Sequence, residues 1–219
     1  MDDGLIVVAQ SQTKGRGQMG STWESRPSQG LTFSMFKRFD NLAIEDQFYI
    51  TIAVSLGVKK ALEECNIQGI KIKWPNDILS YSKKLVGILV ENSILAGKVS
   101  TSVIGLGINV NETEFKQLPS ATSMCLSTGV TFNLDEVLTV VASHVHEQLE
   151  RIEGGDLLNL KEAYETALFK KGEVSVFENT NGRRFNGIVV GVNPIGELLL
   201  EIENGFLESY QLKELKMHY

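Results

Sequence analysis

The chain has 219 residues, 42% of them hydrophobic and 22% charged, with a formal net charge of −6. This composition excludes disorder and collagen-like repeats, and the acidic balance argues against nucleic acid as the main partner. No apolar run reaches the roughly 18–20 residues of a membrane span, and residues 1–10 lack a signal-peptide pattern; with only Cys65 and Cys125 there is no disulfide framework, so a reducing cytoplasm is expected.

Leu5-Ile6-Val7-Val8-Ala9 is a short β-branched run, expected as a buried strand. Next comes Gln12-Thr13-Lys14-Gly15-Arg16-Gly17-Gln18-Met19-Gly20-Ser21-Thr22-Trp23, glycines interleaved with cations and closed by an indole. Glycines tolerate positive φ and let backbone N–H groups converge on an anion. The indole offers a flat face for a ring, so phosphate plus purine is the expected cargo. Gly15, Gly17 and Gly20 match GxGxxG in spacing, but residues 31–37 then alternate as a strand, leaving no room for the helix a dinucleotide fingerprint needs.

From about Ile44 to Cys65 apolar residues recur at helical spacing, which predicts an amphipathic helix with one face on a sheet and Cys65 in the core. Ile70-Lys71-Ile72-Lys73-Trp74 alternates as a strand and runs into Pro75-Asn76-Asp77, a stiff turn presenting an amide beside a carboxylate. Strands are expected at 78–81, 84–93 and 98–105, the central ones covered by helices. Residues 111–130 read as irregular, and helices are expected at 134–152 and 156–169, the first capped by Asn133 with Glu136 three residues on. His144 and His146 are two apart, the wrong spacing for a zinc pair on a helix, and His218 lies in the tail. From Gly172 short strands alternate with the turns Asn181-Gly182, Pro194-Ile195-Gly196 and Asn204-Gly205, predicting a small barrel of four or five strands.

Four blocks in order resemble the biotin–protein ligase family: Gly15-Arg16-Gly17 with Trp23, Lys73-Trp74-Pro75-Asn76-Asp77, Lys84-Leu85-Val86-Gly87-Ile88-Leu89-Val90-Glu91, and Gly105-Leu106-Gly107-Ile108-Asn109-Val110. The resemblance implies an α+β fold, with a mixed sheet flanked by helices as in class II synthetases over residues 1–170. An SH3-like β-barrel would follow at 171–219. It implies activation of biotin by ATP and Mg²⁺ to biotinyl-5′-AMP, then transfer to a lysine of a biotin carboxyl carrier protein. No enzyme nucleophile is needed, which matches the absence of a Cys/His or Ser/His/Asp set.

Carried over, Gln12 would meet the ureido head of biotin, and Gly15, Arg16 and Gly17 would fold over the acyl-phosphate. Lys84, the leading catalytic candidate with Arg16, would bridge the biotin carboxylate and the α-phosphate. Gly87 and Gly105 would let the backbone approach biotin. Gly17, Gln18, Trp23, Asn76, Asp77, Ile108 and Asn109 would contact the nucleotide, with Trp23 on adenine and Asp77 reaching Mg²⁺. Trp74 is expected to pack.

The chain departs from the family at Gln18, where many members carry a second arginine. A Ser-Thr-Asn segment that family members place upstream of Leu5 is also not found. No helix-turn-helix domain precedes the strand, so a DNA-binding repressor role is not expected; the acidic charge and the lack of an apolar span leave neither nucleic acid nor membrane as an expected partner, while an open sheet edge offers a place for a homodimer. Two other readings stay open: a lipoate or octanoate ligase, and a non-catalytic biotin- or adenylate-binding module.

Overall fold

A computed structural model describes residues 1–24, 26–115 and 118–219. In chain order the elements are β1 Ile6–Ala9, β2 Gly30–Ala43, α1 Phe48–Glu64, β3 Ile70–Lys73, β4 Asp77–Ser80, β5 Lys83–Leu95, β6 Lys98–Asn109, α2 Met124–Thr128, α3 Leu134–Glu153 and α4 Leu157–Ala167. Five strands close the chain: β7 Val174–Asn179, β8 Arg184–Val192, β9 Leu198–Ile202, β10 Leu207–Tyr210 and β11 Leu215–His218.

The first sheet runs β1-β2-β6-β5-β4-β3 and the second β10-β9-β8-β7-β11. The α+β class holds, with a small β-rich unit at the end. Within the first sheet, however, every pairing of the named strands is antiparallel. Parallel contact is confined to isolated bridges such as Ile72 with Leu168 and Lys84 with Ala121. Among the described residues, no helix is long and apolar enough to cross a membrane.

Period-2 alternation divides the long strands between two faces. On β6, Ile104, Leu106 and Ile108 enter the hydrophobic core beneath the helices, while Val103, Gly105 and Gly107 line the cleft on the open face. On β5, Val86 and Ile88 belong to the core, and Gly87, Leu89 and Glu91 line the cleft.

Three expectations change. Helix α1 is buried nearly all round, from Tyr49 to Leu62, because the sheet lies on one side of it and α3 and α4 on the other. At Gly57 the crossing with α3 is so close that a Cβ would lie 2.6 Å from Val145 Cα. Strand β1 is not buried: as the end strand of the sheet it leaves Val7 and Val8 exposed. Inside the segment expected to be irregular, Ser123 caps the short helix α2 by accepting from Leu126 N, and Gly129 ends it at φ 77°. Asn133 caps α3 as expected, its side chain accepting from Asp135 N and Glu136 N.

Two polar contacts tie the β8–β9 region of the second sheet to the residue after β3 and to α4. Trp74 Nε1 donates to Gly196 O at 2.9 Å, and Val192 N donates to Glu165 Oε1 at 3.0 Å.

Candidate active site

The cleft on the open face of the first sheet has a volume of about 330 Å³ and gathers residues from four separate stretches of chain. One wall is the loop between β1 and β2. It folds back on itself: Gly17 N donates to Ser21 O at 2.7 Å, Trp23 N to Gly15 O at 3.1 Å, and Ser21 Oγ to Gln18 O at 2.8 Å. The glycines serve this return rather than a nest of free N–H groups. A Cβ on Gly15 would collide with Trp23 O and lie 2.7 Å from Gln12 Oε1; one on Gly17 would run into Ser21 Oγ. Only Gly20 takes a left-handed φ, +84°.

Trp23 caps the floor. Gly87 on β5 and Gly107 on β6 are register partners, and together they leave a slot that the indole fills. A Cβ on Gly87 would sit 2.9 Å from Trp23 Cζ3, and one on Gly107 closer still to the ring. Trp23 Nε1 is buried with no hydrogen-bond partner among the described residues. An orphaned donor of this kind is costly, and marks a group built to meet an acceptor.

The opposite wall is the β4–β5 hairpin. Lys84 Nζ lies 2.6 Å from Asp77 Oδ1 and 5.6 Å from the Trp23 ring centroid. Bulge geometry sets this pairing, since the register between β4 and β5 shifts after Ile78. The Lys84 backbone is pinned as well: its N–H donates to Ser120 O at 2.7 Å, and its carbonyl accepts from Thr122 N at 2.9 Å. Asn76 is locked to β5 by reciprocal bonds with Ile88, Nδ2 to O at 2.7 Å and Ile88 N to Asn76 O at 2.9 Å. Behind them Lys73 Nζ is 4.0 Å from Asp77 Oδ2. Burial, with the positive charge of Lys84 beside it, pushes the Lys73 ammonium pKa down against the pull of Asp77.

Of the residues singled out from sequence, Gln12, Arg16, Gly17, Gln18, Trp23, Asn76, Asp77, Lys84, Gly87 and Gly105 all line this one cleft. Gly15 stands behind it, buried in the loop's own return. Ile108 and Asn109 do not line it. The Ile108 side chain is in the core because β6 alternation turns it there. Asn109 is buried and donates to Thr122 O at 3.0 Å, next to the segment that pins Lys84.

Sequence reasoning missed three contributors. Gly107, not Gly105, is the glycine the indole requires; the GLG spacing was visible, but the facing glycine on β5 was not. Glu91 holds Arg16 through two hydrogen bonds, Nη1 to Oε1 at 3.0 Å and Nη2 to Oε2 at 2.9 Å. Lys73 reads in sequence as an alternating strand residue.

None of the histidines is near a metal cluster, and no group of three or more His, Cys, Asp or Glu suited to a metal occurs among the described residues. His144 Nε2 lies 2.6 Å from Glu64 Oε2, and His218 Nε2 lies 3.1 Å from Glu178 Oε2.

Residues 1–109 match the Biotin/lipoate A/B protein ligase family. The chain is 30% identical over 214 residues to the bifunctional ligase/repressor BirA of Bacillus subtilis, covering 95% of this chain and 65% of that protein. It is also 30% identical over 125 residues to the biotin–[acetyl-CoA-carboxylase] ligase of Mycobacterium tuberculosis, covering 56% of this chain and 45% of that one. The chain thus spans less than two thirds of the length of these curated relatives. Among solved structures, the biotin protein ligase of Aquifex aeolicus in complex with biotin and ATP superposes with a TM-score of 0.82 at 29% identity, covering 100% of this chain and 90% of that one. Site and comparisons agree: residues 1–109 belong to the biotin/lipoate A/B protein ligase family.

Proposed function

We propose that the chain is a biotin–protein ligase, with residues 1–170 carrying the chemistry and 171–219 forming an SH3-like barrel against it. A carboxylate oxygen of biotin attacks the α-phosphorus of ATP, the bond to the bridging oxygen of the β-phosphate breaks, and pyrophosphate leaves with that electron pair. The amine of an acceptor lysine then attacks the acyl carbon of biotinyl-5′-AMP. AMP leaves, and the amine proton passes to solvent. The difficulty in the first step is the approach of two anions, so fixed cations that strengthen their grip as charge develops are what the reaction needs.

The observation that carries the reading is Lys84, held by Asp77 at 2.6 Å on the cleft wall beside Trp23 and the paired glycines. Its ammonium is placed to bridge a carboxylate and an α-phosphate, with Arg16 supplying the second cation from the loop. Gln12, Gly87 and Gly105 form the biotin end, and Trp23, Asn76, Gln18 and Gly17 border the nucleotide. Asn109 and Ile108 act at one remove, Asn109 by positioning Thr122. Asp77 is a single carboxylate, which fits an Mg²⁺ ion carried mainly by phosphate oxygens and water. Such an ion would offset phosphate charge. The acceptor is a biotin carboxyl carrier domain, two free cysteines suit a reducing cytoplasm, and the open edge at β1 is the place for a second copy to pair.

Thermal unfolding separates this from lipoate or octanoate attachment: biotin should raise Tm and lipoate should not. Stabilisation by lipoate alone would overturn the choice of substrate. Mass spectrometry of a carrier domain incubated with the chain, biotin and ATP should show a biotinylated lysine, which a mere binding module would not produce.

A further inference from the structure

The connection between β3 and β4 is only three residues long, Trp74-Pro75-Asn76, and it delivers Asp77 to the cleft. Both of its ends are tied, to different parts of the molecule. Asn76 is locked to β5 through Ile88. Trp74 is locked to the terminal sheet, its indole N–H donating to the Gly196 carbonyl at 2.9 Å. Packing alone would need the ring but not the N–H; a half-buried indole N–H on a fixed acceptor also sets the orientation of its residue.

Gly196 sits in the turn between β8 and β9, and that turn holds its carbonyl still. Gly196 N donates to Asn193 O and Asn193 N to Glu197 O, both at 3.0 Å. The Asn193 side chain closes the turn a second time, Nδ2 donating to Glu197 Oε2 at 2.6 Å and Oδ1 accepting from Glu197 N at 2.9 Å. Beneath it lies Phe48, the first residue of α1: Gly196 has φ +90°, and a Cβ there would run into the Phe48 ring. Phe48 has no room to retreat, because it packs edge-on against Tyr164, which is fully buried. At the end of β8, Val192 N is held by Glu165 of α4, which also pairs with Lys161 at 2.9 Å. The acceptor for Trp74 is thus mounted on α1 and α4.

We propose that Trp74 is a positioning residue for adenylate formation: through the Gly196 carbonyl it fixes the short connection, and with it the placement of Asp77 against Lys84. Asp77 Oδ1 is the group that holds Lys84 Nζ, at 2.6 Å. A three-residue connection has little slack, so releasing one end lets Asp77 shift, and a misplacement of about 1 Å can cost a reaction on the order of a hundredfold. The β8–β9 turn then serves the chemistry without touching substrate. Which reaction is affected rests on the ligase reading; the link from the turn to the connection does not.

Trp74→Phe keeps an aromatic ring and removes the donor. In single-turnover formation of biotinyl-5′-AMP its rate constant at saturating substrates should fall about tenfold, with half-saturating biotin and ATP within about twofold of wild type. Asn193→Ala, which loosens the turn from the far side, should slow the step about threefold, and the double variant should be no slower than Trp74→Phe, since both act through one contact. In an Asp77→Asn background Trp74→Phe should cost nothing further. A wild-type rate in Trp74→Phe, or the same loss repeated in the Asp77→Asn background, would overturn the proposal. So would a rise in half-saturating ATP at an unchanged rate, which would make Trp74 a binding residue. If Trp74→Phe does not fold, Asn193→Ala decides the matter by the same readings. Amide hydrogen exchange at Ile88, whose N–H is bonded to Asn76 O, should quicken in both variants, and unchanged exchange there would sever the link. No adenylate in the wild type would count against the ligase reading, while exchange at Ile88 would still test the link.

Discussion

The two walls of the cleft are built in opposite ways. The hairpin that carries Asp77 and Lys84 is part of the sheet, and Ile78, Leu79, Leu85 and Val86 around it are 0% exposed. The loop that carries Arg16 is held by a few of its own backbone bonds and by one ion pair to Glu91, whose partners are 71% and 45% exposed. Exposed pairs contribute only about 0–1 kcal/mol, whereas the hairpin shares the stability of the core. The hairpin is thus a fixed template and the loop can yield to a ligand: chemistry that needs a preorganised cation belongs on the hairpin, and entry of a substrate ring belongs on the loop.

The largest expected effect is on the rigid wall. Lys84→Ala should slow adenylate formation by about 30- to 1000-fold, the equivalent of roughly 2–4 kcal/mol in the barrier, with unchanged circular dichroism. A single-turnover assay of biotinyl-5′-AMP decides it, and a wild-type rate would break the contrast. Next comes the slot. Gly107→Val puts a branched side chain where the indole lies, so Trp23 must leave, at a cost of about 1–3 kcal/mol. Its emission should shift to longer wavelength and biotin affinity should fall. Smaller is Glu91→Ala, which removes the exposed pair: Tm should hold to within about 1 kcal/mol of stability, while hydrogen exchange at Gly17 and Trp23 quickens and that at Ile78 and Val86 does not.

The legibility of the site in the sequence follows the same division. Local features read well: the glycine-rich loop, the Trp74-Pro75-Asn76-Asp77 turn, the alternation of residues 84–93 and the Asn133 cap all depend on neighbours in sequence. What required the fold is pairing across strands. Gly105 and Gly107 look equivalent on β6, and only the Gly87 register partner makes Gly107 the slot. Glu91 gains its role from a loop 75 residues earlier in the chain. The exposure of Val7 and Val8 follows from β1 being an end strand, which a run of β-branched residues does not reveal. Helix α2 is five residues long, too short to show a period.

The smallest effect probes the base of the segment that pins Lys84. Glu112 is 3% exposed, neither carboxylate oxygen makes a well-formed hydrogen bond among the described residues, and Ser123 donates to its backbone carbonyl at 2.6 Å. Burial raises its pKa, against weaker lowering by the backbone and Arg26. The folded state then holds this proton more tightly than the unfolded chain does, so stability is lost as pH rises from the unfolded value through the folded one. Glu112→Gln should therefore raise Tm by a few degrees at pH 7, on the order of 1 kcal/mol, and the gain should vanish below about pH 4, where both states are protonated. A Tm difference that does not change with pH would show that the carboxyl is ionised in the fold.

On the proposed reading, this cleft activates biotin with ATP on a fixed lysine. Biotin-dependent ATP–pyrophosphate exchange measures that step alone, without an acceptor protein. Label exchange is expected in the wild-type chain only when biotin is present, and should be lost in Lys84→Ala. Exchange without biotin, or no exchange at saturating biotin, ATP and magnesium, would contradict it.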